Sequence, residues 1–154
     1  MLATRNDASE AFFLEDNVIL VEGQEDVVFY RKILDELNVQ LPASYFGWGV
    51  GGAEKMEAIA RLLQSMGYRS VLGLLDNDKE RQRLRLEESF PAYMFRCIPA
   101  DDIRPKVERT ILAKRGLVDE HGCLRPEHVH SVRALLTEAD AYFRRGEAGD
   151  SQLV

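Results

Sequence analysis

Apolar residues in this chain fall into two patterns: short unbroken runs, and stripes at three- and four-residue spacing. Val18-Ile19-Leu20-Val21, ending at Glu22, and Ser70 to Leu75 are runs with almost no polar interruption. Such runs mark strands buried on both faces of a parallel sheet. Tyr45-Phe46-Gly47-Trp48 predicts a further strand. Tyr93, Phe95 and Cys97, alternating with Met94 and Arg96, predict a strand nearer the sheet edge. Between these runs the period changes. Val27, Tyr30, Ile33, Leu34 and Leu37 make one helical stripe, and Met56, Ile59, Ala60, Leu63 and Met66 make a second that stops near Gly67. Lys79 to Phe90 is a charged helical stretch. Strand and helix therefore alternate, which implies parallel pairing through right-handed crossovers.

Beyond Pro99 the pattern shifts. Ile103, Val107, Ile111 and Leu112 predict a helix stopped near Gly116. A longer helix opens at Pro126 and carries Val129, Val132, Leu135, Leu136, Ala139 and Tyr142. The polar tail from Arg144 to Val154 is expected to fray. The fold class is α/β: a Rossmann-like central four-stranded parallel sheet flanked by helices, with a C-terminal helical extension. Residues 1–104 form the sheet domain, and residues 105–154 form an extension packed on it or linking to a partner. No internal repeat or low-complexity segment is present.

A length of 154 residues suits a single core, and 45% hydrophobic with 30% charged residues is an ordinary globular balance. No apolar run approaches the roughly 18 residues of a membrane span. The N-terminus lacks the layout of a signal peptide, and Cys97 and Cys123 lack metal-finger spacing. The expected location is the cytoplasm. A net charge of -6 argues against a domain devoted to non-specific phosphate binding. It leaves nucleic acid open as a substrate, because carboxylates holding cations make a locally positive site.

The candidate chemistry lies where the apolar runs end in acids. Glu22 and Asp26 follow the first strand, and Asp76 and Asp78 follow the third. In a parallel sheet, the carboxyl ends of neighbouring strands open on one crevice. Like charges about 5 Å apart cost on the order of 3 kcal/mol per pair at an effective dielectric of about 20. A divalent cation removes that cost, and oxygen donors suit Mg²⁺ or Mn²⁺. Each pair also has a purely structural reading. Glu22 ends a strand while Asp26 favours a helix N-terminus, and Asp-Asn-Asp is common turn chemistry. The two pairs at one sheet edge favour a shared metal site.

Val-Glu-Gly-x-x-Asp after an apolar strand, followed by Asp-x-Asp after a later one, resembles the TOPRIM domain of topoisomerases, bacterial primases, recombination proteins and overcoming-lysogenisation-defect (OLD) nucleases. The resemblance covers residues from about 12 to 104. Phe12-Phe13 and the loop Phe46-Gly47-Trp48-Gly49-Val50-Gly51-Gly52 look most like TOPRIM units fused behind an OLD-type ATPase. The resemblance implies a TOPRIM-like fold and a metal-dependent endonuclease module that hydrolyses DNA phosphodiester bonds by a two-metal mechanism. Glu22, Asp76 and Asp78 would be catalytic. Glu22, Asp26, Asp76 and Asp78 would hold one or two Mg²⁺ or Mn²⁺ ions. A further acid would come from Asp101 or Asp102, with Asp102 taken as the ligand, and Lys106 is the nearest match to a lysine that some relatives use. Implied partners are DNA, an OLD-type ATPase domain in the same or a separate chain, and a second copy in a homodimer, with no membrane. Related proteins often serve in phage defence.

Two alternatives stand beside this reading. One is a nucleic-acid-binding TOPRIM module inactive without its ATPase. The other is a dinucleotide-binding domain, since Gly47, Gly49 and Gly52 formally match GxGxxG and Asp76 follows at ribose-acid distance. Against it, Glu22 occupies the place where that fingerprint usually lies, and Trp48 is bulky for close phosphate approach. The same loop suits backbone N–H groups meeting a phosphate at a helix N-terminus. His128 and His130 are spaced wrongly for zinc on a helix, and His121 adjoins Gly122. Arg81, Arg83 and Arg85 suit either a DNA backbone or a solvated helix face.

Overall fold

The computed structural model describes residues 17–47, 52–108, 111–114 and 116–153. Strand β1 (Asn17–Val21) is buried at all five positions. It is followed by helix α1 (Gln24–Leu37), strand β2 (Ser44–Gly47) and helix α2 (Gly52–Ser65). Strand β3 (Ser70–Leu75), also buried throughout, leads through a short 3-10 turn into helix α3 (Glu80–Ser89) and strand β4 (Met94–Cys97). The sheet order is β2-β1-β3-β4 and every pairing is parallel. The two all-apolar runs therefore occupy the centre, where neither edge nor face meets water. β4 lies at an edge, as its alternation predicted.

Strand alternation splits the core into two layers. Ile19, Val21, Leu72 and Leu74 face one way, towards Tyr30, Ile33 and Leu34 of α1. Val18, Leu20, Val71 and Leu75 face the other, towards Met56, Ala60 and Leu63 of α2, Leu86 of α3, and Phe90 and Phe95. A period of two on each strand meets a period near 3.6 on each helix, and a three-layer sandwich results. α1 ends at Asn38, whose φ of 55° lies in the left-handed region that asparagine tolerates. α2 is followed by Gly67 at φ 89°, where the sequence predicts a stop.

The region after β4 corrects the sequence reading. The helix expected through Ile103, Val107, Ile111 and Leu112 is instead an antiparallel hairpin of β5 (Lys106–Glu108) and β6 (Ile111–Lys114). Four-residue spacing misled here for physical reasons. Arg104 precedes Pro105, which pushes it away from helical geometry. Val107 and Ile111 are β-branched, and Val107 pairs with Leu112 and Glu108 with Ile111 in antiparallel register. Ile103 is buried in the preceding loop.

Helix α4 (Val129–Leu153) opens through a 3-10 turn at Pro126–His128. The tail expected to fray from Arg144 is helical to Leu153. Val132, Leu136, Ala139 and Phe143 of α4 lie in the same apolar layer as β1, β3 and α1. The Tyr142 hydroxyl accepts from Val71 N–H at 3.2 Å and donates to the Ala92 carbonyl at 2.7 Å. A Cβ on Gly146 would come 2.4 Å from Ser70 Oγ, so the helix lies close against the start of β3. Phe12-Phe13 and the loop Trp48–Gly51 lie outside the described residues.

Candidate metal centre

Three chain segments deliver acids to one end of the sheet. Register places Val21 beside Gly47 and Leu75 beside Cys97, with Leu20 opposite Gly73. Glu22 and Asp76, each the first residue past its strand, therefore leave the sheet at the same edge. The chain turns at Gly23, and Asp26 sits in the first turn of α1. There Gly23 N–H donates to Asp26 Oδ2 at 3.1 Å, and Asp26 N–H donates to the Gly23 carbonyl at 3.1 Å. Asp26 thus does the capping work that a structural reading assigns to it, while still facing the crevice electrostatically.

The second segment is locked to the third. Asp76 accepts Lys79 N–H at its carbonyl at 3.0 Å, which opens the 3-10 turn into α3. Asn77 N–H donates to the Ala100 carbonyl at 2.9 Å, and Ile98 N–H donates to the Leu75 carbonyl at 2.8 Å. These bonds hold the loop after β4 against the end of β3. That loop separates the two acids between which the sequence left a choice. Asp101 is exposed, whereas Asp102 is only 8% exposed. Asp102 Oδ1 accepts Arg104 N–H at 3.3 Å.

Mutual repulsion shows in the acidities. Burial pushes Asp76 up to about 7, with Glu22, Asp102, Asp26 and Asp78 adding to the rise. Glu22 is raised by burial first; Lys79 opposes the rise, while Asp26, Asp78 and Asp102 reinforce it. Asp26 is raised by burial, partly offset by its bond from Gly23 and the charge of Arg104, with Asp102 and Glu25 adding to the rise. Burial also pushes the Tyr30 hydroxyl well above its usual range, and Asp26, Asp76 and Glu22 add to it. Tyr30 is itself a buried core residue of α1. The sequence marked Tyr30 only as part of an apolar stripe.

The donor set is all oxygen, which suits a hard divalent cation. Glu22 Oε1 is buried without a hydrogen-bond partner, an acceptor that an ion satisfies at no cost to other bonds. Among the described residues, no three His, Cys, Asp or Glu side chains are gathered closely enough to enclose one ion. The acids thus repel one another across the crevice but do not close around a single point in this arrangement.

Other residues singled out in the sequence lie apart. Arg83 is engaged by Glu80 and, at 3.0 Å, by Glu87, so it braces α3. Arg81, Arg85 and His121 are exposed. The first glycine of the GxGxxG match has a packing role: a Cβ on Gly47 would come 2.6 Å from the Gly23 carbonyl oxygen. Sequence reasoning missed Arg104, whose guanidinium meets Glu25 at 2.7 Å and lies over the Phe29 ring at 5.6 Å. It also missed Lys79 as the cation acting on Glu22; its place directly after Asp-Asn-Asp was the available signal.

Among family models, the TOPRIM domain of overcoming lysogenization defect protein-like proteins matches residues 13–78. The match spans both acidic motifs and ends at Asp78, before β4, Asp102 and α4. No curated protein and no solved structure matches the chain.

Proposed function

From the OLD-like TOPRIM match over residues 13–78, we propose that this chain is a Mg²⁺- or Mn²⁺-dependent nuclease module that hydrolyses DNA phosphodiester bonds. Domains of this kind process nucleic acids and typically bind divalent metal ions. The observation that carries the reading is the crevice where burial and neighbouring carboxylates, Asp102 among them, push the pKa of Glu22 and of Asp76 up, and Glu22 keeps a buried oxygen without a partner. Glu22, Asp26, Asp76, Asp78 and Asp102 would hold the metal. When bound, it supplies charge neutralisation and an acidified water. Glu22, half-buried and with its pKa raised by burial, is suited to holding or releasing a proton beside the scissile phosphate. Asp26, tied to Gly23, keeps the β1–α1 turn in place, and Asp102 positions the Arg104 backbone.

The natural partner in this reading is an OLD-type ATPase domain, in the same or a separate chain, with a cytoplasmic role in phage defence. Among the described residues no helix is long and apolar enough to cross a membrane. One observation favours a second reading. Because no three acids enclose an ion among the described residues, the module would bind nucleic acid and cut only once a partner compresses the crevice.

Supercoiled plasmid tests both. Nicking is expected with Mg²⁺ or Mn²⁺, none with EDTA, and none for Asp76→Ala that keeps the wild-type circular dichroism. Equal nicking by wild type and variant would sink the catalytic assignment. A metal-induced rise in Tm without nicking, followed by nicking when an OLD-type ATPase is added, would select the second reading.

A further inference from the structure

The three arginines of α3 are used in two different ways. Arg83 is held within its own helix by Glu80 and, at 3.0 Å, by Glu87, which Arg96 also meets at 2.6 Å. Arg81 and Arg85 are exposed, and among the described residues no carboxylate comes within ion-pair distance of either. Two acids of α3 are thus neutralised by Arg83 and Arg96, and Glu88 is left to oppose the two exposed arginines along the helix. On the α2 side, Arg85 shares a groove with Glu54 and Glu57, and Arg61 holds Glu57 at 3.1 Å.

The exposed pair is in line with the candidate metal centre. Asp78 lies in the 3-10 turn that runs directly into α3, and Arg81 and Arg85 follow it three and seven residues later. That spacing stacks the three positions on one face. At about 1.5 Å per residue, Asp78 to Arg85 covers roughly 10 Å. A DNA strand carries a phosphate about every 3.4 Å of axis, so the row matches successive phosphates. Leu84, 50% exposed, lies on the same face and offers an apolar contact for sugars. At the crevice end, half-buried Lys79 acts on Glu22 more strongly than any neighbouring acid does. Two arginines four apart on a helix repel each other, and a bound phosphate turns that repulsion into attraction.

We propose that a DNA strand leaving the metal centre runs along the exposed face of α3, with Arg81 and Arg85 holding successive backbone phosphates. The proposal rests on the nuclease reading for its direction, but binding is measured without cleavage. α3 packs on one face of the sheet and α4 on the other. Exposed Arg133 of α4 is therefore a control of equal charge away from this path.

The intact chain is titrated against a fluorescein-labelled DNA duplex in EDTA, by anisotropy, from about 0.05 to 0.2 M salt. For Arg81→Gln with Arg85→Gln, affinity is expected to fall about ten- to hundredfold near 0.1 M salt. The slope of log affinity against log salt should flatten by about 2, one unit per lost phosphate contact. Arg81→Lys with Arg85→Lys keeps the charge and should keep the wild-type slope, as should Arg133→Gln. The Gln pair relieves repulsion on an exposed face, so its Tm should not drop, and misfolding cannot mimic the result. Unchanged affinity and slope in the Gln pair, or an equal loss in Arg133→Gln, would overturn the proposal. So would wild type that ignores the duplex at the lowest salt but binds phosphatidylserine vesicles. If the Gln pair loses DNA affinity while wild type never nicks plasmid, the nuclease reading falls and the α3 contact stands. If wild type nicks and the Gln pair binds as wild type does, the α3 contact falls and the nuclease reading stands.

Discussion

Asp76 concentrates the cost of the site in one side chain. Its carboxyl is held at about 7, chiefly by burial and then by Glu22, against an ordinary value near 4. A raised acid binds its proton more tightly when folded. Between pH 4 and 7 the native state therefore holds more protons than the unfolded chain, and stability falls as pH rises through that window. Metal-free protein should melt higher at pH 5 than at pH 8. Asp76→Asn, which cannot ionise, should erase most of that difference and be the more stable protein at pH 8 in EDTA. With solvent screening at a half-buried position, the gain is about 1–2 kcal/mol, or roughly 3–6 °C in Tm. Mg²⁺ should stabilise wild type more than the variant. Thermal melts at two pH values, with and without Mg²⁺, check all of this. A wild-type Tm that rises from pH 5 to pH 8 in EDTA would mean that Asp76 is not the strained group.

Among the secondary-structure elements, the strands and the helices flanking them were legible because burial on both faces leaves no polar residue in β1 or β3 past Asn17 and Ser70. Acids placed directly after such runs were equally legible, since parallel strands must end together. What the pattern could not carry was the hairpin, where a four-residue apolar period suits helix and strand alike, and the approach of backbones around glycine. Gly47 shows the second case. It looked like part of a phosphate loop, yet its missing Cβ lets the end of β2 lie against the Gly23 carbonyl and the Gln24 Cα, at 2.6 and 3.1 Å from where a Cβ would stand. Backbone atoms there have little room to yield. Gly47→Ala should cost about 1–3 kcal/mol as an overpacked contact. Because the displaced turn carries Glu22 and Asp26, nicking should fall further than stability does. Gly67→Ala is the contrast: nothing lies within 4 Å, but its φ of 89° strains any side chain, so it should lower Tm and leave nicking at permissive temperature unchanged. Equal losses of nicking in both variants would remove the link between the Gly47 contact and the crevice.

For the molecule as a whole, α4 decides whether residues 17–104 make a self-sufficient body. The family match ends at Asp78, yet one layer of the core is completed by Val132, Leu136, Ala139 and Phe143, all of them buried. Without α4, the faces of β1 and β3 carrying Ile19, Leu72 and Leu74 lose part of their cover, and the Tyr142 bonds to Val71 and Ala92 are lost. Each large apolar side chain removed from such a layer costs roughly 3–5 kcal/mol, against a total stability of about 5–15 kcal/mol. A chain ending at Arg125 is therefore expected to lose its fixed packing, with weakened near-ultraviolet circular dichroism, binding of a hydrophobic dye and no cooperative melt. Phe143→Ala tests the same packing without removing the helix, and should lower stability by about 3–5 kcal/mol in urea while far-ultraviolet circular dichroism stays native. Arg133 is exposed on the same helix, and Arg133→Ala should be nearly neutral. A truncated chain that melts cooperatively near the wild-type Tm would show that α4 is an appendage, and the sheet with α1, α2 and α3 would then be the folding unit.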